Sequence, residues 1–516
     1  MSNYSIILIS VLVIYMIFNF GFGMWVSKKQ QKLDAAEGKG FINNYFIGGR
    51  SMGGLVLAMT LIATFTSASS FIGGPGVAYS RGLVWVYLSM IQVPTAFIIL
   101  GILGKKFAVI SRKTNAVTVT DYLRARYKSP VVVIGASVAL VLFFIAQMMS
   151  QFLGGAVLFQ SVTGLSYIYG LILFGIVVIV YTSFGGFKAV VTTDTIQGII
   201  MVIGGFIIMA TIIHVGGGVD SIVDKLNVVN PNWSTPDQGG LTAKPFVMSF
   251  WVLVGLGVLG LPQTAVRGMG FKDTKSLHNA IIYGTIVVGF LMLIMHLSGV
   301  FAPAVLNASE IPSTNGVLNT DYVIPRLVLK YMNPVVAGLF IAAPLSAVMS
   351  TVSSLLILAS AAIVKDLYLN YIAGDKHGSG QEEAADKTFE KKIGRMSMAV
   401  TLIIGAIVFV FTIKPPSLIV WINLFAMGGL ECSFLCPIIF GLYWKKANAT
   451  GSIVSMICGV TTFIFMTVKG ISIGGTTPIV ISIAVAVGTF IIASMIGKPS
   501  DRETLELFFP GSERSA

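Results

Sequence analysis

Charged residues are scarce in this chain of 516 residues. Asp, Glu, Lys and Arg make up 11 % of it, whereas hydrophobic residues make up 55 %. Soluble proteins usually carry about 25 % charged residues, because a water-facing surface needs them. The composition therefore argues against soluble enzymes and nucleic-acid-binding proteins, and it favours a single polytopic membrane domain over several soluble ones.

Metal-binding and catalytic residue types are also few. The three cysteines form no CxxC pair, and the four histidines show no ligand spacing. His296 alone lies well inside an apolar stretch, where we expect a packing role, with a proton-binding role as the alternative. The chain has no nucleotide-binding GxxxxGK(S/T) motif and no HExxH or GxSxG motif, which argues against a nucleotide-driven pump and a membrane hydrolase. A channel is disfavoured because no selectivity-filter repeat is evident.

Thirteen apolar stretches are long enough to cross a bilayer, for which a helix needs about 20 residues. They cover 5–26, 52–79, 82–104, 130–160, 166–184, 190–215, 245–265, 278–303, 334–363, 395–413, 417–443, 448–468 and 473–496. We therefore predict an all-α membrane protein of about 13 transmembrane helices, forming one transporter domain over 1–516. The segment 497–516 is predicted to be a cytoplasmic tail.

The basic residues predict the orientation of these helices. Lys and Arg total 34, and the net charge is +13. With the N-terminus outside, 27 of the 34 fall on the cytoplasmic side and 7 on the other. Cytoplasmic loops of membrane proteins carry such an excess, so the N-terminus is predicted outside and the C-terminus inside. The basic balance then needs no nucleic-acid partner.

Two of the stretches are unlike plain membrane helices. The second contains the run Thr66–Gly76, rich in Ser and Gly, and the seventh contains Gly255, Gly257, Gly260 and Pro262. Such runs weaken a helix and free backbone groups, which must then be satisfied internally or line a cavity. Interrupted helices at matching places in two halves indicate a transporter site. We predict two inverted repeats, over 52–215 and 245–443, although close helix packing through small residues is the alternative.

Few acids and hydroxyls lie within these stretches, and those few are candidate ligands. Glu431 lies in the eleventh stretch and Asp194 near the start of the sixth, where an ionisable group is costly and suggests function. The alternatives are a packing hydrogen bond to a neighbouring helix for Glu431 and a helix-end acid in water for Asp194. In the ninth, Ser350, Ser353 and Ser354 share one helical face. Hydroxyl and carbonyl oxygens suit a hard cation such as Na⁺, although such hydroxyls also bond to their own helix.

Four segments carry a family resemblance that covers nearly all of the predicted helices. They are Asn44–Gly54, Ser67–Gly76, Tyr181–Gln197 and Gly441–Ser452. In this order they resemble the solute:sodium symporter family, and Ser67–Gly76 is most similar to its sodium/pantothenate branch. The resemblance implies a LeuT-like fold of five-plus-five inverted repeats, with one extra helix before them at 5–26 and two after them at 448–496.

The resemblance also implies ion sites. A first Na⁺ would be held by the carbonyls of Ala63, Thr66 and Ala347 and the hydroxyls of Ser350 and Thr351. Some members bind a second Na⁺, and its pattern matches Asp194 with Ser350, Ser353 and Ser354. The number of ions does not follow from membership, because other members lack the last two hydroxyls.

The resemblance implies Na⁺-coupled symport of pantothenate across a bacterial inner membrane. The other partners are the lipid bilayer and the coupling Na⁺. Another small carboxylate and proton coupling stay open as alternatives. Proline is disfavoured because proline-transporting relatives have an Asp where this chain has Phe65.

Since all 34 basic residues were assigned to loops or helix ends, the pantothenate carboxylate is expected to bind backbone N–H groups and helix dipoles at the broken helices. The predicted substrate contacts combine side-chain donors with one aromatic ring. They are Ser67, Ser69, Ser70, Gln92, Gln151, Gln263 and Phe71.

Overall fold

The computed structural model describes residues 3–37, 52–314, 316–372 and 387–510, and these ranges are predominantly helical. The predicted family segment over 44–51 and the last six residues of the predicted tail lie outside the described residues. The part of the tail that is described contains a short helix, Arg502–Phe508.

The helices alternate with short turns along the chain. The first half contains α1 (Asn3–Glu37), α2 (Gly54–Phe65), α3 (Gly74–Arg81), α4 (Leu83–Met90), α5 (Thr95–Phe97), α6 (Lys105–Lys113), α7 (Val119–Tyr127), α8 (Pro130–Thr163), α9 (Tyr167–Gly216) and α10 (Val219–Val229). The second half contains α11 (Lys244–Phe250), α12 (Pro262–Ala265), α13 (Thr274–Phe301), α14 (Val323–Tyr331), α15 (Pro334–Ala361), α16 (Lys387–Thr412), α17 (Ile419–Tyr443), α18 (Ala449–Lys469), α19 (Pro478–Ile496) and α20 (Arg502–Phe508).

Tighter and wider helical turns join several of these helices. The π-helical turns are Ser69–Gly73, Ile98–Gly104, Trp251–Leu256 and Ala362–Ile372. The 3₁₀ turns are Gly257–Gly260, Val266–Met269, Ala302–Ala304, Ala308–Glu310 and Thr320–Tyr322. Strands β1 (Ser313–Thr314) and β2 (Val317–Leu318) form a small antiparallel hairpin.

Ten helices within the described ranges are long and apolar enough to cross a membrane, and two bent pairs bring the number to as many as 12. The predicted fifth and sixth spans both fall within α9, whose 50 residues have a helical backbone throughout. The apolar parts of α9 are Tyr167–Val180 and Val190–Gly216, and only the second is long enough to span by itself. The predicted count of 13 and the predicted orientation therefore stay predictions.

Both helices that were predicted to be interrupted are broken. The pair Gly54–Phe65 and Ser69–Arg81 bends by 68°, and the pair Lys244–Gly260 and Pro262–Met269 bends by 52°. Proline explains the second break, because the residue before a proline is forced out of the helical region, and Leu261 has φ −93° and ψ 107°.

At the first break, Thr66 is extended, with φ −76° and ψ 128°. The Ser69 N–H bonds to the Ser67 hydroxyl at 3.2 Å instead of to a helical carbonyl. Serine competes with helical hydrogen bonding in this way.

Helix α15 lies at the centre of the molecule. The apolar window of Pro334–Ile372 is 94 % buried, whereas the corresponding windows of the peripheral α1 and α19 are each 28 % buried. Helix α15 packs against α2, α8, α9 and α16. Since α2 is the first half of the first broken span, the middle of α15 lies beside that break. A polar stripe on such a helix faces protein and not lipid, which is the placement that an internal ion site requires.

Candidate functional site

The five oxygens predicted for a first Na⁺ come together between the broken helix and α15. The Ser350 hydroxyl donates to the carbonyl of Ala63 at 2.8 Å and to that of Ala347 at 3.1 Å. The Thr351 hydroxyl donates to the carbonyls of Thr66 at 3.1 Å and Ala347 at 2.8 Å. Every one of these residues is fully buried. The geometry therefore joins the carbonyl end of α2 to the middle of α15 through uncharged oxygens.

This arrangement suits a monovalent hard cation. Oxygen ligands are the ones that such ions prefer, and the ligand residues carry no formal charge of their own. The carbonyls of Ala63 and Thr66 are available because the helix stops there and leaves its last carbonyls without helical partners. The buried Thr66 hydroxyl lies at the same place and has no hydrogen-bond partner among the described residues. A cation here would draw two hydroxyls and three carbonyls into its shell.

The second predicted ion site contains a guanidinium. Arg267 Nη2 donates to the Ser354 hydroxyl at 2.7 Å and to the Thr64 hydroxyl at 2.8 Å, and it lies 3.8 Å from Asp194 Oδ2. Asp194 also accepts a bond from the Thr60 hydroxyl at 2.7 Å. A permanent positive charge of the protein therefore lies beside the acid that was predicted to hold a second sodium ion.

The other two hydroxyls of that predicted set, those of Ser350 and Ser353, make no hydrogen bond to Asp194 among the described contacts. Ser353 donates to the carbonyl of Ser350 at 3.1 Å, within its own helix. Ser350 bonds to Ala63 and Ala347 as described above. Of the four predicted residues, Asp194 and Ser354 are thus joined through Arg267, whereas Ser350 belongs to the first cluster.

Arg267 lies near the end of the half-helix Pro262–Met269, which agrees with its sequence-based assignment to a loop or helix end, but it is buried there. The 52° bend at Leu261 turns the half-helix Pro262–Met269 inward, so Arg267 has no exposed surface. The sequence-based count assigned this residue to the cytoplasmic side and did not predict its burial. The available signal was its position five residues after Pro262, because a helix that restarts after a break need not continue outward.

A cavity opens beside the first cluster, between the first break and the part of the seventh span that precedes the second break. Its polar side chains are Ser67, Ser69, Ser70, Ser89, Gln92, His296 and Asn423. Its apolar side chains are Phe65, Trp85, Leu88, Phe250, Val254, Val420, Leu424 and Met427, and Gly74 completes the lining. Among the described residues, neither Lys nor Arg lines it, so an anion in this cavity would depend on neutral donors and on the N-terminal end of Ser69–Arg81.

Four of the seven predicted substrate residues line this cavity, namely Ser67, Ser69, Ser70 and Gln92. The other three are buried outside its lining. Gln151 accepts the backbone N–H of Ala68 at 2.9 Å, and Gln263 donates to Gln147 at 3.2 Å. These two glutamines hold the broken segments in place, and Phe71 packs in the core.

Several lining residues were not predicted from the sequence. Trp85 and Asn423 gave no motif, because each belongs to an ordinary apolar helix. His296 was expected to pack, and its Nδ1 does lie 2.7 Å from the carbonyl of Met292, but its ring also borders the cavity near Gly74.

The structure has two broken helices around a cavity and an oxygen cluster between one break and a neighbouring helix. These features define an ion-coupled secondary transporter. The sodium:solute symporter family matches residues 45–459, and the chain belongs to this family. It is therefore a multi-pass membrane transporter and not an enzyme, and Na⁺ is the coupling ion of its family.

Similar proteins include two bacterial ones called sodium/pantothenate symporters. The protein of Haemophilus influenzae is 45 % identical over 94 % of this chain and 96 % of its own. The protein of Escherichia coli is 44 % identical over 96 % of this chain and 97 % of its own.

A solved structure of a Na⁺-coupled sialic acid symporter, in a substrate-bound outward-open state, aligns with a TM-score of 0.75. It is 20 % identical and covers 96 % of this chain and 98 % of that one. LeuT-fold transporters are among the solved structures that align, and they support a LeuT-like, all-helical fold.

Proposed function

We propose that this protein carries pantothenate into the cell together with Na⁺ by alternating access. The observation that carries the proposal is the convergence of five oxygens from α2 and α15 immediately beside the cavity. The two relatives named for this transport support the choice of substrate, since each is similar along almost its whole length.

The cavity suits a molecule with an anionic end, polar middle groups and apolar parts. Pantothenate has a carboxylate, an amide and two hydroxyls on a short aliphatic skeleton. We place its carboxylate near the hydroxyls of Ser69 and Ser70, where the second half of the broken helix begins and the positive end of its dipole favours an anion. Gln92 and Asn423 would serve the amide and hydroxyls, while Phe65 and Val254 would contact the aliphatic part.

Coupling follows from where the ion would bind. A Na⁺ among the five oxygens ties the broken helix to α15, so it stabilises the arrangement in which the neighbouring cavity is formed. An ion shifts the conformational balance only by its difference in affinity between the two states. Its release toward the cytoplasm would free α2 from α15 and allow the cavity to change its access.

We further propose that one Na⁺ accompanies each substrate. Arg267 supplies the positive charge at the second predicted position, where it bonds Ser354 and lies beside Asp194. A second Na⁺ would have to displace the guanidinium from these groups or lie next to it, and like charges oppose that.

For the membrane arrangement, we propose the bacterial inner membrane with the N-terminus outside and the C-terminus inside. The inverted repeats would span 52–215 and 245–443. The basic residues support this orientation, because loops on one side carry most of them. Lys128 pairs with Asp501 at 3.1 Å and Glu503 at 2.7 Å, which joins two segments that the orientation places on the same, cytoplasmic side.

Uptake by the purified full-length protein in liposomes tests the proposal. Radiolabelled pantothenate should accumulate under an inward Na⁺ gradient and should not accumulate under a proton gradient of equal size without Na⁺. Equal uptake without Na⁺ would contradict sodium coupling. A thermal-shift series of small carboxylates, with and without Na⁺, tests the substrate, and stabilisation by another acid in place of pantothenate would contradict it.

A further inference from the structure

A buried acid that the proposed sodium site does not use lies in helix α17. Glu431 has no exposed surface, and neither of its carboxyl oxygens has a hydrogen-bond partner among the described residues. Burying an ionised carboxylate without a partner is very costly, whereas a neutral carboxylic acid has a proton to donate. The environment of Glu431 therefore favours the protonated form in the arrangement described here.

The surface that faces Glu431 belongs to the broken seventh span. A Cβ on Gly257 would lie 2.3 Å from Oε2 of Glu431 and 2.6 Å from the carbonyl oxygen of Val252. A Cβ on Gly260 would lie 3.0 Å from Cα of Glu431. The carboxyl group thus fills space that only glycine leaves, and a backbone carbonyl of a π-helical turn flanks the same point.

No charged neighbour within the described ranges compensates this group. Several elements packed against α17 contain no ionisable side chain: α8, α19, the turn Ser69–Gly73 and the run Trp251–Gly260. Helix α18 contributes Cys458 and, at its far end, Lys469. Helix α7 contacts the other end of α17, where Tyr122, Tyr127 and Arg126 bond carbonyls of Ile438, Pro437 and Gly441. The remaining titratable groups of α17 itself are Cys432, Cys436 and Tyr443.

Glu431 is also close to the substrate cavity along its own helix. Met427 and Asn423, one and two turns before it, line that cavity, as does Val254 of the opposing span. Any movement of the broken span against α17 changes both the cavity wall and the contact with Glu431.

We propose that Glu431 is a proton-binding site at the hinge of the seventh span. The proton is bound while the glycine face of that span covers the carboxyl group. When the span moves away, water reaches the group and takes up the proton, and the carboxylate must regain a proton from the same side before the span can close again. The proton therefore gates the cycle and is not carried with the substrate. This inference rests on the transport proposed above.

Uptake at a fixed Na⁺ gradient and varied pH tests the gate in the full-length protein. Raising the pH should slow wild-type uptake several-fold, because closure needs a protonated Glu431. Glu431→Gln, which resembles the protonated acid, should keep its rate over the same range, and Glu431→Asp should keep a pH dependence. The matched control is Glu310→Gln, an acid outside the predicted spans that pairs with Lys330, and it should keep the wild-type profile. A wild-type profile in Glu431→Gln would overturn the proposal.

Infrared difference spectroscopy provides a measurement that needs no transport. Adding Na⁺ alone to the purified protein shifts the balance of states, so a carbonyl band of a protonated carboxylic acid should change in the wild type and not in Glu431→Gln. A band that is absent, or that does not respond to Na⁺ or pH, would refute the proton site. Failure of pantothenate uptake at every pH, with a responsive band, would instead refute the substrate and leave the proton site standing.

Discussion

The hydroxyl oxygens of Ser350 and Thr351 are the smallest features on which the proposed coupling depends. Each bridges a carbonyl at the end of α2 and the carbonyl of Ala347 in α15. Because the site contains no formal charge, every oxygen ligand should matter to a bound ion.

Removing one of these oxygens should weaken Na⁺ binding. We expect Thr351→Ala to raise the Na⁺ concentration for half-maximal uptake about tenfold, which corresponds to about 1.4 kcal/mol. Thr351→Ser, which keeps the hydroxyl, should stay close to the wild type. Ser360→Ala on the same helix is a matched control, because its hydroxyl bonds the carbonyl of Ser397 instead. An unchanged Na⁺ requirement in Thr351→Ala would count against these ligands.

The buried ion pair of Asp194 and Arg267 can be tested by removing one member and then both. Asp194→Ala leaves a buried guanidinium without its counter-charge, and breaking such a pair costs about 3–5 kcal/mol. We expect a clear fall in the melting temperature of the detergent-solubilised protein. The double variant Asp194→Ala/Arg267→Met should recover much of the loss, since no buried charge remains. A double variant less stable than the single one would argue against the pairing.

Asp321 should make stability depend on pH. It lies outside the predicted spans, and burial raises the pKa of its carboxyl to about 7, although the N–H of Ile419 opposes the shift by donating to it at 3.1 Å. The folded protein therefore holds this proton more tightly than the unfolded chain, where the pKa is near 4. Stability should decrease as the pH rises from about 4 to about 7. Asp321→Asn should remove that part of the slope in melting temperature, and an identical slope would contradict the assignment.

At the scale of elements, the broken helices depend on close backbone contacts. A Cβ on Gly299 of α13 would lie 2.1 Å from the carbonyl oxygen of Pro75, at the start of α3. Neither backbone can move away without disturbing the second half of the broken helix, which lines the cavity. Helix α13 therefore fixes the direction in which the chain restarts after the break.

An added methyl group at this contact should be damaging. We expect Gly299→Ala to destabilise the protein by about 1–3 kcal/mol or more, because overpacking displaces backbone. Gly289→Ala in the same helix is the matched control, since its Cβ would lie an ordinary 3.4 Å from Val93. Melting temperature and pantothenate uptake together test the pair. Equal behaviour of the two variants would show that the contact is unimportant.

At the scale of the whole molecule, the proposed orientation of the protein in the membrane can be tested directly. In a variant whose native cysteines are replaced by serine, a membrane-impermeant maleimide should label Ser472→Cys on intact cells. Glu503→Cys should react only after permeabilisation. Both positions are exposed in the structure, so labelling depends only on which side of the membrane each position faces. The reverse pattern would invert the proposed orientation.

Sequence patterns were sufficient for features that depend on local chemistry. Proline and glycine in the seventh stretch, and serine and glycine in the second, predicted both breaks. The oxygens of the first cluster came from matching motifs and lie together in the structure. The bend angles depend on packing between distant helices, so the burial of Arg267 could not be read from linear position. The cavity positions of Asn423 and Trp85 could not be predicted for the same reason.

The position of Arg267 has a consequence for cellular energetics. A cycle that carries one Na⁺ with one monocarboxylate moves no net charge, because the two charges cancel and the fixed guanidinium stands where a second Na⁺ would otherwise be carried. The membrane potential, worth about 2.3 kcal/mol per charge per 100 mV, then adds nothing to uptake. The ceiling on accumulation is the ratio of Na⁺ concentrations outside and inside, so a cell that maintains a steep voltage but a shallow sodium ratio would gain little vitamin through this protein.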